Sequence, residues 1–204
     1  MNAFTSGEAY DYFIDTMERE MRAFLASIDR DAVERAADLI EAVRKEGGRV
    51  HVSGIGKPGH LAAYIASLLS SVGTPAYFLH ATEAVHGSSG QLVPGDVVLL
   101  ISNSGETAEM RPTVAALKAN GCHLIGISGN EGSWLANESE IHLTAGVTEE
   151  GGPLNRAPRA SFMAEAIVLQ ALSVVLQARQ AVTLEQYVSW HPGGALGQLR
   201  EGEQ

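Results

Sequence analysis

From residue 49 onward, short β-prone runs alternate with segments of helical period, and this alternation constrains the fold more than any other feature of the chain. Strand candidates span residues 49–53, 76–80, 97–102, 122–128 and 141–144. Helical patterns over 61–72, 108–119 and 133–137 fall between strands, and a long apolar one over 160–178 follows, with Glu165 its only acid. Parallel strands require right-handed crossovers, and the crossover helices cover both faces of the sheet. The pattern predicts an α/β fold, a five-stranded parallel sheet in a three-layer sandwich.

Ahead of the sheet, Phe13, Met17, Met21, Phe24 and Ile28 recur at steps of three and four, and Val33, Ala36, Ile40 and Val43 repeat the pattern after Asp29-Arg30-Asp31. They predict an N-terminal helical pair ending near Gly47-Gly48, set either against the sheet or against another subunit. For 204 residues one domain is expected, 1–47 supplying these helices and 48–199 the α/β core. A net charge of -10 argues against nonspecific nucleic-acid binding and against an anionic membrane surface, since both need a basic footprint. Cys122 is the single cysteine, so no internal disulfide is possible, and it is expected in the core. No uninterrupted apolar run approaches membrane-spanning length. The expectation is a soluble cytoplasmic protein.

Ligands of such folds bind beyond the carboxyl ends of the strands, where two turns fall. The first, Gly54-Ile55-Gly56-Lys57-Pro58-Gly59, fits G-x-G-x-x-G, and Glu83 lies near where a dinucleotide ribose would want an acid. Lys57 inside that turn and the hydroxyl-rich second turn, Ser102-Asn103-Ser104-Gly105-Glu106-Thr107, favour a small phosphorylated molecule instead. Hydroxyls and unpaired N–H groups at a helix start suit a phosphate; the same turn also reads as ordinary capping, with Asn103 and Glu106 at N-cap and N3 spacing. Among the seven histidines no pair has metal-ligand spacing, so no metal is expected. His51, His123 and His142 fall on strand candidates and are expected as packed structural residues, whereas His86 and His191 lie in glycine-flanked loops where an imidazole can face a cleft. Glu149 and Glu150 follow the last strand; they are either a solvated acidic loop or, desolvated beside a phosphate, carboxylates suited to proton transfer. The serine-hydrolase elbow and the Walker loop are absent.

Five blocks in order carry a further signal: Gly54-Ile55-Gly56-Lys57; Glu83-Ala84-Val85-His86-Gly87; Ser102-Asn103-Ser104-Gly105-Glu106; Glu150-Gly151-Gly152-Pro153-Leu154 with Ala157-Pro158; and His191-Pro192-Gly193-Gly194-Ala195-Leu196-Gly197. Together they resemble the sugar isomerase (SIS) domain of the arabinose-5-phosphate isomerase family, over residues 49–199. The resemblance implies a flavodoxin-like sheet, a homo-oligomer (dimer or tetramer) with sites near subunit interfaces, and aldose-ketose isomerisation of a phosphosugar without a cofactor. Lys57, Glu106, Glu150 and His191 match the family's catalytic positions, and Ser102, Ser104 and Thr107 its phosphate binders. Asn103, Gly56, His86 and Arg159 complete the set of candidate substrate contacts.

Isomerising a phosphosugar means opening the ring, moving a proton from C2 to C1 and stabilising the enediol oxygen between. His191 suits ring opening, because an imidazole titrates near neutrality. Glu150 is the first choice for the C2 to C1 transfer and Glu106 the second, with Lys57 neutralising phosphate or enediolate charge. Three residues depart from the family's pattern. Pro58 removes a hydroxyl and an N–H from the first turn, Ser88 stands where an aspartate is usual, and Arg159 stands where a small hydroxylated residue is usual. The regulatory CBS pair has no counterpart in these residues, so regulation through it is not expected. The reading is an isomerase with arabinose 5-phosphate and ribulose 5-phosphate as the leading pair; the alternative is a noncatalytic phosphosugar-binding module that senses or assembles.

Overall fold

The computed structural model describes residues 4–200 and 202. Strands β1 (Val50–Gly54), β2 (Ala76–His80), β3 (Val97–Ile101), β4 (His123–Ser128) and β5 (Ile141–Thr144) form one all-parallel sheet in the flavodoxin-like order β2-β1-β3-β4-β5. Eight α-helices lie among the described residues: α1 (Ser6–Ser27), α2 (Arg30–Lys45), α3 (Lys57–Ser71), α4 (Ala81–Ala84), α5 (Met110–Ala119), α6 (Trp134–Glu138), α7 (Ala160–Arg179) and α8 (Leu184–Ser189). The inner strands β1 and β3 are buried throughout, which is why β3 reads Val-Val-Leu-Leu-Ile instead of alternating with polar residues. Val97, Leu99 and Ile101 face a core built with α1, α2, α3 and α7, while Val98 and Leu100 face one built with α4, α5 and α6.

The N-terminal pair covers the chain's own sheet. A capping box between Thr5 and Glu8 opens α1, the Asp29 side chain caps α2, and Phe24, Val33, Ala36 and Ile40 enter the first core. Both helices pack on α7. Helix α7 is 20 residues long and, by length and composition, apolar enough to cross a bilayer, although Glu165 and Gln170 interrupt its apolar run. Its apolar character answers to packing: Leu169, Leu172 and Leu176 are fully buried beneath α1, α2 and α3.

Helix α3 starts at Lys57, four residues before the expected boundary, because Pro58 falls in its first turn. A proline is tolerated there, since the N–H it lacks has no intrahelical acceptor. Asp96 ties β1 to β3 at their amino ends, accepting hydrogen bonds from Arg49 N (2.8 Å), Val93 N (2.9 Å), His51 Nε2 (3.0 Å) and Arg49 Nη2 (3.2 Å). Burial pushes its carboxyl up, but these donors outweigh burial and hold it below the usual carboxylate range. Cys122 is buried, and burial pushes its thiol up to about 11, so it packs as a small apolar residue.

Candidate active site

Parallel pairing of β1 with β3 sets Gly54 opposite Ile101, so the two glycine-containing turns emerge side by side at the switch point of the sheet. The first is tight: a Cβ on Gly54 would lie 2.7 Å from the Pro58 carbonyl carbon, and Gly56 has φ +67°. Only glycine lets the strand end and α3 approach so closely.

The second turn is not the N-cap of α5, as the Asn103 and Glu106 spacing allowed. Helix α5 begins only at Met110, and Glu106 instead caps the neighbouring α6, accepting from Trp134 N at 2.7 Å and from Arg111 Nη2 at 3.1 Å. The turn therefore does not cap α5. Gly105, at φ +66°, brings the chain so close to Ser133 that any side chain would strike it. Ser102 Oγ and Thr107 Oγ1 share a hydrogen bond of 2.8 Å, and Ser104 Oγ accepts from Glu106 N at 3.1 Å. The N–H groups of Asn103, Ser104 and Thr107 have no partner among the described residues. Hydroxyls and unpaired N–H groups in one turn make a seat for an anion.

That seat forms one wall of a cleft of about 310 Å³, lined also by Ile55 and Pro58 of the first turn, by Glu150, Arg156 and Pro158, and by Phe162 and Glu165 of α7. The structure separates the two loop glutamates. Glu149 is tied to α1, accepting from Arg19 Nη2 at 2.6 Å and Tyr12 Oη at 3.2 Å. Glu150 caps α7, its Oε2 accepting from Arg159 N at 2.6 Å and Ser161 N at 3.1 Å, while Oε1 makes no hydrogen bond among the described residues. The loop is braced at this point by Asn155, whose Oδ1 accepts from Glu150 N at 2.5 Å. One carboxylate oxygen is thus anchored by a helix end and the other left without a partner, on a residue that lines the cleft carrying the anion seat.

Residues 43–175 match the family model of the SIS domain. The chain belongs to the SIS domain family. Among curated relatives, this SIS domain is 42% identical over 182 residues to the arabinose 5-phosphate isomerase KdsD of Pseudomonas aeruginosa, covering 89% of this chain and 55% of the relative. It is 41% identical over 150 residues to the enzyme of the same name from Escherichia coli K12, covering 74% of this chain and 46% of the relative. The chain therefore spans about half the length of the curated relatives it matches. Among solved structures, a protein of E. coli CFT073 in complex with arabinose 5-phosphate superposes with a TM-score of 0.80 at 33% identity, covering 90% of this chain and 95% of that one. A structure from Listeria monocytogenes described as that of a candidate sugar-phosphate isomerase gives 0.83 at 30% identity, covering 93% of this chain and all of that one.

Not every candidate of the SIS domain reaches this cleft within one chain. Lys57 lines an adjoining recess of about 570 Å³ together with Pro153, Leu154, Arg156 and Arg159, and Arg156 and Pro158 border both spaces. Gly56 lines a third recess, with His60 and His80. His86 is exposed in the turn after α4 and lines none of these three spaces. His191 lies elsewhere altogether: its Nδ1 is 2.7 Å from Tyr187 O and its ring stacks on Tyr187 at 4.2 Å. The adjacent Trp190 packs at Gly73, just past the carboxyl end of α3, and 15 residues of helix separate that end from Lys57. His191 therefore lies toward the amino ends of the strands, about the length of α3 away from Lys57.

The strand histidines divide as well. His51 is buried against Asp96, His142 Nε2 meets Ser128 Oγ at 2.8 Å, and burial pushes both imidazoles down. His123 departs from the expectation of a packed residue, standing part-exposed beside Glu140 at 3.0 Å because it opens β4 at the sheet's rim. No sequence motif assigned a part to Ile55, Arg156, Phe162 or Glu165. For Glu165 a signal existed, since it is the single acid on a helix otherwise apolar.

Proposed function

We propose that this SIS domain is a phosphosugar aldose-ketose isomerase, with arabinose 5-phosphate and ribulose 5-phosphate its leading substrate pair. The observation that carries the proposal is the pairing, in one cleft, of an anion seat at Ser102 to Thr107 with the unengaged Oε1 of Glu150. A pentose phosphate seated by its phosphate on the turn would lay its carbon chain across the cleft toward that oxygen. Glu150 then takes the C2 proton and returns it to C1, with the enediol between. Hydrogen removed from one carbon is delivered to its neighbour, so the oxidation of C2 and reduction of C1 balance within the substrate. Arg156 lines the cleft, and Lys57 and Arg159 line the recess that adjoins it, so cationic groups attract a phosphate toward the site despite the acidic chain and oppose the enediolate charge. Glu106 would reach the sugar only by releasing Trp134 and Arg111, which is why it ranks behind Glu150.

Ring opening near neutrality suits an imidazole, and no histidine lines the cleft of one chain. We infer that His191 is supplied by a second copy of the chain, so that the working unit is a homo-oligomer with shared sites. The separation of His191 from Glu150 within one chain supports this, as do the side chains of Tyr10, Leu25 and Val174, all more than half exposed on α1 and α7.

The test is incubation with pentose, hexose and heptose phosphates in deuterated water. Isomerised product carrying deuterium at the carbon that was reprotonated is expected. Saturable binding without turnover on any member of the panel would replace the isomerase by a binding module.

A further inference from the structure

Glu165 is the least explained ionisable group in the chain. It is only 1% exposed on α7 and makes no hydrogen bond to any described residue, its Oε1 being fully enclosed without a partner. It nevertheless lines the cleft that holds Glu150 and the Ser102 to Thr107 turn. Ser161, one helical turn earlier on the same face, donates its N–H to Glu150, and its own Oγ is likewise buried without a partner. An enclosed carboxyl with nothing to bond destabilises the fold unless a ligand completes it. Burial and the nearby Glu150 charge raise its pKa to about 8, so near neutrality it holds a proton and can donate as well as accept.

We propose that Glu165 is a substrate-binding residue whose carboxyl hydrogen-bonds a hydroxyl of the phosphosugar between the phosphate seated at Ser102 to Thr107 and the carbons facing Glu150. This rests on the phosphosugar reading of the cleft and adds a contact that selects among sugars. A site built to bond a hydroxyl leaves its own group unpaired when the sugar lacks that hydroxyl, and therefore rejects the analogue strongly. Glu165 would make the cleft sensitive to a position on the sugar that takes no part in the chemistry.

The test measures binding of arabinose 5-phosphate and of inorganic phosphate by calorimetry, and thermal stability, for the wild type, Glu165→Leu and Glu165→Gln. Glu165→Leu is expected to weaken sugar phosphate binding about 10- to 100-fold, to leave phosphate binding unchanged and to raise the melting temperature. Glu165→Gln, which keeps a donor and an acceptor, is expected to restore most of the sugar binding. Monodeoxy analogues should bind wild type poorly at one position, and Glu165→Leu should no longer distinguish that position. Unchanged sugar binding in Glu165→Leu overturns the proposal. So does loss of folding in Glu165→Leu, because it would show the carboxyl serving the fold. Because binding is the readout, the outcome stands whether or not the wild type turns the sugar over; absence of turnover alone counts against the isomerase reading, and absence of sugar binding overturns both.

Discussion

Replacing Glu165 by glutamine should change how stability depends on pH, and the size of the change follows from the carboxyl's surroundings. Burial, followed by the charge of Glu150, lifts its pKa from 4.5 to about 8. An unfolded chain releases this proton near 4.5 while the folded chain keeps it until about pH 8. Between those values the folded state binds the extra proton, so stability falls as pH rises, at about 1.4 kcal/mol per pH unit. The full difference across the window is about 5 kcal/mol, of which about 3 to 4 kcal/mol falls between pH 5 and 8. Glutamine does not titrate, so the variant lacks this slope. Urea unfolding of both proteins at pH 5, 6, 7 and 8, at one protomer concentration, measures the difference directly. Subtracting one from the other cancels His51 and His142, whose pKa values burial depresses and whose contribution therefore rises with pH up to about 6.5. Glu150→Gln should narrow the pH window over which stability falls without abolishing it, since burial remains the larger cause of the raised pKa. A difference that stays flat within about 0.5 kcal/mol over this range would refute the reasoning, because Glu165 would then be as ionised in the folded chain as in the unfolded one.

Other changes separate chemistry from architecture. Glu150→Gln should retain phosphosugar binding and lose about 10²- to 10⁴-fold in kcat, read by the deuterium incorporation assay. Mixing inactive Glu150→Gln with inactive His191→Ala under conditions that exchange subunits should restore turnover; no recovery after verified exchange would mean that each site takes both residues from one chain. Ser102→Ala together with Thr107→Val should weaken inorganic phosphate binding about tenfold while the melting temperature moves little, because their shared hydrogen bond is the one contact removed from the fold. Asp96→Ala should destabilise the chain by about 3 to 5 kcal/mol in denaturant titrations, leaving Arg49, His51 and Val93 without their common acceptor.

The alternation of strand and helix periods was enough, read from the sequence, to specify a parallel α/β fold, because an inner strand such as β3 is apolar on both faces and the crossover helices are amphipathic. Both turns at the carboxyl ends were legible for a related reason: positive φ and close backbone approach demand glycine at Gly56 and Gly105, and anion binding favours hydroxyls at Ser102, Ser104 and Thr107. The spacing of Asn103 and Glu106 misled, because a capping pattern does not say which helix is capped, and the Glu106 carboxylate accepts from the N–H of Trp134 at the start of α6. Only the tertiary structure told Glu149 from Glu150, since one pairs with Arg19 on α1 and the other closes the end of α7 across chain separations no local pattern records. It alone set Glu165 in the cleft wall and His191 at the far end of the sheet. Local periodicity reports which face of an element is buried; what that face is buried against depends on strand order and crossover direction, and these brought one acid to the ligand while carrying the histidine away from it.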